Sequence, residues 1–274
     1  MRKVFIKSKK EMDTFCSCLA MLDGTKQVYV DEDARWGYVA TVHDGYHRRI
    51  AMALVETFLH HRETEWIKQI AKEVYYYKDE EAIKRIAELT HTIIVGDMYE
   101  ETAKEPSMSR QQITQAFQEI AAKHIRVFFD AVIQFRSNGY REALIEIVGD
   151  AIEEYKREEE YQMYVESLRE YIGKKPINSS SVIHVIQGRD FSFYKDDGTP
   201  FSDEEIAALA EEEPLFLAGL GKQEKNITPL IAMSPQKIYL YGDHPSEPKT
   251  LTIINIFQER AAYLPLHQFP FSMY

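Results

Sequence analysis

The chain has 274 residues, enough for a sizeable core or for two or three small domains. Its 45% hydrophobic and 28% charged content is that of a folded globular protein and excludes wholesale disorder. A net charge of −11 argues against non-specific nucleic-acid binding, which needs a basic surface to displace counterions.

The opening segment, MRKVFIKSKKEM, lacks an apolar stretch of signal-peptide length. Val4 to Ile6 predict a short strand. Ser8 with Glu11 forms a capping-box pattern for a helix that runs through Met21 and stops at Gly24. That helix holds the only cysteines, Cys16 and Cys18. They are too few for a four-ligand zinc site and lie about 200° apart around a helix, so they read as reduced thiols. Gln27 to Val30 and Trp36 to Val42 predict two strands joined by the acidic turn Asp31-Glu32-Asp33.

From about Tyr46 the apolar spacing becomes helical. Ile50, Leu54, Phe58 and His61 share a face, and Trp66, Ile70, Val74 and Tyr77 continue one. The run Ile50 to Leu59 contains Glu56 and is far too short to cross a membrane. Asp79 caps a helix whose stripe is Ile83, Ile86, Thr90 and Ile93, and Pro106 ends that segment. Ser109 with Gln112 opens a helix carrying Ile113, Phe117, Ile120, His124, Phe128, Ala131 and Phe135. After a Ser137-Asn138-Gly139 break, one long helix spans Tyr140 to Ile172 and closes at Gly173. Its stripe is Leu144, Val148, Ile152, Tyr155, Glu158, Tyr161, Val165, Leu168 and Ile172. Short connections favour an antiparallel, four-helix bundle-like region.

Lys174-Lys175-Pro176 and Ser179-Ser180-Ser181 read as a linker. Val182 to Ile186 and Phe191 to Tyr194 predict a hairpin around Gly188-Arg189-Asp190. Ser202 with Glu205 starts a short helix, and Thr228-Pro229 another. Lys237 to Tyr241 is a strand, Glu247 to Gln258 a helix, and Ala261 to Leu264 a last strand. The fold class is therefore α+β and predominantly helical. A small strand-helix-strand-strand unit (1–45) precedes the helical region (46–173), and a small α/β unit follows (174–274).

Most site signatures fail. Ala218-Gly219-Leu220-Gly221-Lys222 misses a phosphate loop twice, with Phe216 in place of glycine and Gln223 in place of Ser or Thr. His43-Asp44 lacks the earlier histidine that a metal phosphohydrolase needs. Glu88 and His91 match one ExxH pair, but a di-iron bundle needs two, and His60 with Glu63 has the reverse order. No cofactor signature, metal site or catalytic set is found. Polar residues inside apolar stripes are more informative: His124 between Ile120 and Phe128, His61 after Phe58, and Glu158 between Tyr155 and Tyr161. An inward Glu158 needs a partner, either across the bundle to fix its register or in a pocket shared with His124 and neighbouring tyrosines. The 17 tyrosines, with Tyr75-Tyr76-Tyr77 at a helix end, suit an aromatic contact surface for a protein partner.

Glu158-Glu159-Glu160-Tyr161-Gln162, followed by Tyr164-Val165 and Leu168-Arg169, resembles the central helix of the YtxC-like family of sporulation proteins. The likeness continues in His184-Val185, in Leu230-Ile231-Ala232-Met233-Ser234-Pro235-Gln236-Lys237-Ile238 and in Asn255-Ile256-Phe257-Gln258-Glu259-Arg260. The resemblance implies a biological process and no particular reaction, and it draws attention to Glu158, Glu160 and Tyr161. Members often carry cysteines after the last strand, whereas this chain ends Leu264-Pro265-Leu266-His267-Gln268-Phe269-Pro270-Phe271. The expectation is a cytoplasmic, non-enzymatic interaction or regulatory protein with a protein partner, without membrane insertion or nucleic acid. The alternative is a small-molecule-binding protein or enzyme with a bundle pocket around Glu158 and His124.

Overall fold

The computed structural model describes residues 1–23, 28–43, 45–96, 108–188, 190–212 and 226–271. The Walker-like segment, the Asp44 of His43-Asp44, Gly24, Pro106 and Arg189 lie outside the described residues, as does the Ser109 side chain. The protein is α+β and predominantly helical, with two four-stranded mixed sheets. It forms two compact units, Met1–Arg157 and Glu158–Tyr274, so the contact boundary differs from the sequence-based divisions at 45 and 173.

In the first unit, β1 (Arg2–Ile6), α1 (Lys9–Asp23), β2 (Tyr29–Asp33) and β3 (Gly37–Val42) follow in order. The acidic residues expected in a turn belong to β2 instead. The turn falls three residues later, at 34–36, where Asp33 Oδ1 accepts from the N–H groups of Arg35 and Trp36 at 2.9 and 3.0 Å. Gly37, at φ +87°, then starts β3, and a Cβ there would lie 2.8 Å from Lys7 Cα. Only glycine meets both demands.

The predicted single helix over 109–135 is broken. α5 (Met108–Lys123) stops, β4 (Arg126–Phe128) pairs in parallel with β1, and α6 (Phe129–Arg136) resumes. Three strand residues shift the helical phase, so Phe129 and Val132 are buried whereas Ala131 and Phe135 face solvent. His124 falls just past the helix and is exposed, a correction to its expected inward position.

The sheet order is β2-β3-β1-β4. Val4, Ala40 and Val127 form one cross-strand row and are fully buried with the helices. Against this face lies α1, and the same core continues through α2 (His47–Phe58), α3 (Thr64–Glu73), α4 (Glu80–Gly96), α5 and the first part of α7 (Asn138–Lys174). Alternate residues place Phe5, Val39 and Phe128 on the opposite face. Between α2 and α3 the chain forms one π-helical turn, Leu59–Glu63.

In the second unit, β5 (Asn178–Ile186), β6 (Ser192–Tyr194), β7 (Pro235–Gly242) and β8 (Ala261–Pro265) form a sheet of order β6-β5-β7-β8. The expected hairpin is β5–β6. Ser202 and Glu205 close a reciprocal capping box at α8 (Asp203–Glu212), with bonds of 2.8 and 3.2 Å. α9 (Thr228–Met233) and α10 (Pro248–Phe257) complete the unit, and Leu168, Leu230, Ile231, Ile238 and Ile253 anchor its core.

Candidate functional site

Helix α2 reaches the π-turn with Phe58 fully buried, and after Leu59 the turn carries His60, His61, Arg62 and Glu63. A π-turn is an uncommon element that concentrates at functional positions, and its wider winding re-aims successive side chains. Glu63 is only 2% exposed. It accepts a hydrogen bond from the Tyr140 hydroxyl of α7 on Oε1, while Oε2 lies 3.6 Å from His91 Nδ1 of α4. The other nitrogen of His91 is 3.1 Å from the Thr64 hydroxyl. Phe58 and Trp66 enclose this group, with Phe58 edge-on to Tyr140 at 5.4 Å.

The same turn aims Arg62 at α1. Its guanidinium donates to both carboxylate oxygens of Glu11 and, at 3.3 Å, to Asp130 of α6. Glu11 is 3% exposed, so its expected capping-box role gives way to a largely buried ion pair. The bond to Glu11 pushes the Arg62 pKa up. His61 turns to Thr14, at 2.8 Å, and burial, helped by neighbouring His60, lowers its pKa. Around Arg62 and Glu63, the residues Glu11, His91, Asp130 and Tyr140 thus tie four helices to one turn. Sequence reasoning missed the group as a set, although the six consecutive polar residues from His60 to Glu65 are its signal. The ExxH fragment behaves differently: Glu88 is exposed and pairs with Arg85, while His91 faces Glu63. Among the described residues no cluster of three His, Cys, Asp or Glu side chains could hold a metal ion.

The opposite face of the first sheet is a surface of another kind. Phe5 and Phe128 stack at 4.6 Å, and Trp36 leans on Phe128 at 4.8 Å with the Arg35 guanidinium over its ring. Next to them, β2 exposes nearly every residue, with Tyr29 63%, Val30 44% and Trp36 of the adjoining turn 37% exposed. The tyrosine triplet lies past the end of α3. Tyr75 donates to the Ile145 carbonyl at 2.8 Å over Gly149, and Tyr76, at φ 60°, is 79% exposed.

The second unit has an open cleft of about 620 Å³ whose lining includes Asn178, Lys195, Asp196, Asp197, Phe201 and Met233. His184 of β5 sits beside it, 6% exposed, with Nδ1 2.9 Å from the Tyr241 hydroxyl and Nε2 3.9 Å from Asp196. Rings of Tyr239, Tyr241 and Phe271 surround it at 5.1 to 5.7 Å. Burial pushes its pKa down, and Asp196 opposes this in part.

Of the residues singled out from the sequence, Glu158 and Tyr161 are half-buried, whereas Glu160 and His124 are exposed. The Tyr161 hydroxyl accepts from Asn255 at 3.1 Å and meets the Thr252 hydroxyl at 3.3 Å, joining α7 to α10. Glu158 and His124 belong to different units, and neither lines the cleft of the second unit.

The sequence pattern of the YtxC-like family matches residues 48–262. This chain belongs to that family. An uncharacterised protein, YtxC of Bacillus subtilis (strain 168), is 29% identical over 220 residues, covering 79% of this chain and 76% of that relative. No solved structure is a significant match. The family match takes in the π-turn, α7 and the second sheet up to the start of β8, while β1, β2 and β3 precede it. No helix among the described residues is long and apolar enough to cross a membrane.

Proposed function

We propose that this member of the YtxC-like family is a cytoplasmic, non-enzymatic interaction protein that works in sporulation. The observation that carries the reading is the β2–β3 hairpin, which holds Tyr29, Val30 and Trp36 in solvent on one edge of a well-packed unit. Exposed aromatic and branched side chains in one place favour burial by a partner, and Tyr and Trp are the residues that interfaces enrich. The process comes from the family resemblance. In this reading the buried Glu63 and Tyr140 and the partly exposed His91 at the π-turn hold one another, and they fix the scaffold behind the hairpin.

The test is affinity capture of the full chain from sporulating cells. One protein should be recovered in stoichiometric amount, and Tyr29→Ser with Trp36→Ser should abolish its recovery. A chain that elutes alone would sink the reading.

A further inference from the structure

Resting on the interaction reading, we propose that the outer edge of β2 receives an extended, basic segment of the partner as a fifth strand. β2 ends the sheet order, is paired with β3 over Tyr29–Asp33, and among the described residues pairs with no strand on its other side. A free edge presents alternate N–H and C=O groups, to which any extended chain can bond.

The side chains decide which chain it is. They alternate across the sheet, placing Tyr29, Asp31 and Asp33 on the outer face and Val30 and Glu32 on the helix side. Asp33 is committed to its turn. Asp31 and Glu32 are exposed, one on each face, and among the described residues neither forms an ion pair. A second copy of β2 would set carboxylates against carboxylates, and like charges directly opposite one another destabilise a strand pair. Lys or Arg at those positions turns the same pairs attractive. The acidic pair therefore guards the edge against self-pairing and leaves it open to a basic strand. At the other end, Tyr29 and Val30 offer apolar surface on both faces. The partner segment thus carries adjacent apolar residues opposite Tyr29 and Val30 and adjacent cations opposite Asp31 and Glu32.

The experiment uses the full chain and a capped peptide of Thr and Val with three consecutive Lys at its centre. Amide hydrogen exchange is read along β2. The Lys peptide should slow exchange there, whereas a Glu analogue, and an analogue with Pro at alternate positions to remove N–H donors, should not. Asp31→Lys with Glu32→Lys should weaken binding about tenfold, since two attractive cross-strand pairs become repulsive. Both positions are exposed, and an unchanged unfolding curve will show that the double variant folds. Unchanged β2 exchange with the Lys peptide, equal binding of the Pro analogue, or protection of β2 by self-association would each overturn the proposal. Recovery of the cellular partner by the double variant overturns the edge assignment alone. Failure of the wild-type chain to recover any partner overturns the interaction reading, and this proposal with it.

Discussion

Glu63 shows how a buried charge is accommodated. A carboxylate at 2% exposure carries a desolvation penalty of several kcal/mol, offset only when its oxygens are occupied. Here the Tyr140 hydroxyl and the His91 ring supply partners from two other helices. Tyr140→Phe keeps the edge-on packing with Phe58 and removes only the hydroxyl donor. It is expected to lower stability by about 1.5–3 kcal/mol, the range for a hydrogen bond to a charged group, as measured by urea denaturation. A loss near zero would show that Glu63 does not depend on that bond.

At the scale of elements, local patterns and long-range pairing compete, and the outcome depends on which can be read along the chain. The stripe of α7 is legible: Leu144, Val148, Val165 and Leu168 are all buried, and Glu158 with its charged neighbours lies between the stretches that enter the two cores. Local spacing reads 109–135 as one helix because the pairing of β4 with β1 joins positions more than 120 residues apart, and nothing in that spacing records it. The β2–β3 turn differs from its expected place because Asp31 and Glu32 have the chemistry of turn residues, whereas Gly37 carries the real constraint. Gly37→Ala must hold a side chain at φ +87° and displace the Lys7 backbone. It is expected to cost about 1–3 kcal/mol in chemical denaturation, and full stability would rule out the tight approach.

For the whole molecule, the two hydrophobic cores share no buried residue, so calorimetry should resolve two unfolding transitions. The second should respond to pH through His184. Its folded pKa lies below the ordinary 6.5, so the unfolded chain binds the proton more readily. Stability is full above about 6.5 and falls as pH drops from there through the folded value. The second transition should therefore move down on mild acidification, and His184→Gln should flatten that dependence. A pH slope unaltered by the substitution would assign the effect to other groups.

The amino-acid sequence by itself determined the α+β class, most helices and strands, the capping box of α8 and the family, because these rest on spacing and on residues close together in the chain. Only the tertiary structure decided the candidate sites. Glu63 meets Tyr140 across 77 positions, Arg62 meets Glu11 across 51, and the free edge of β2 exists only once β3 has paired its other side. Each is a contact between distant segments, and polar partners carry no periodicity that would announce them.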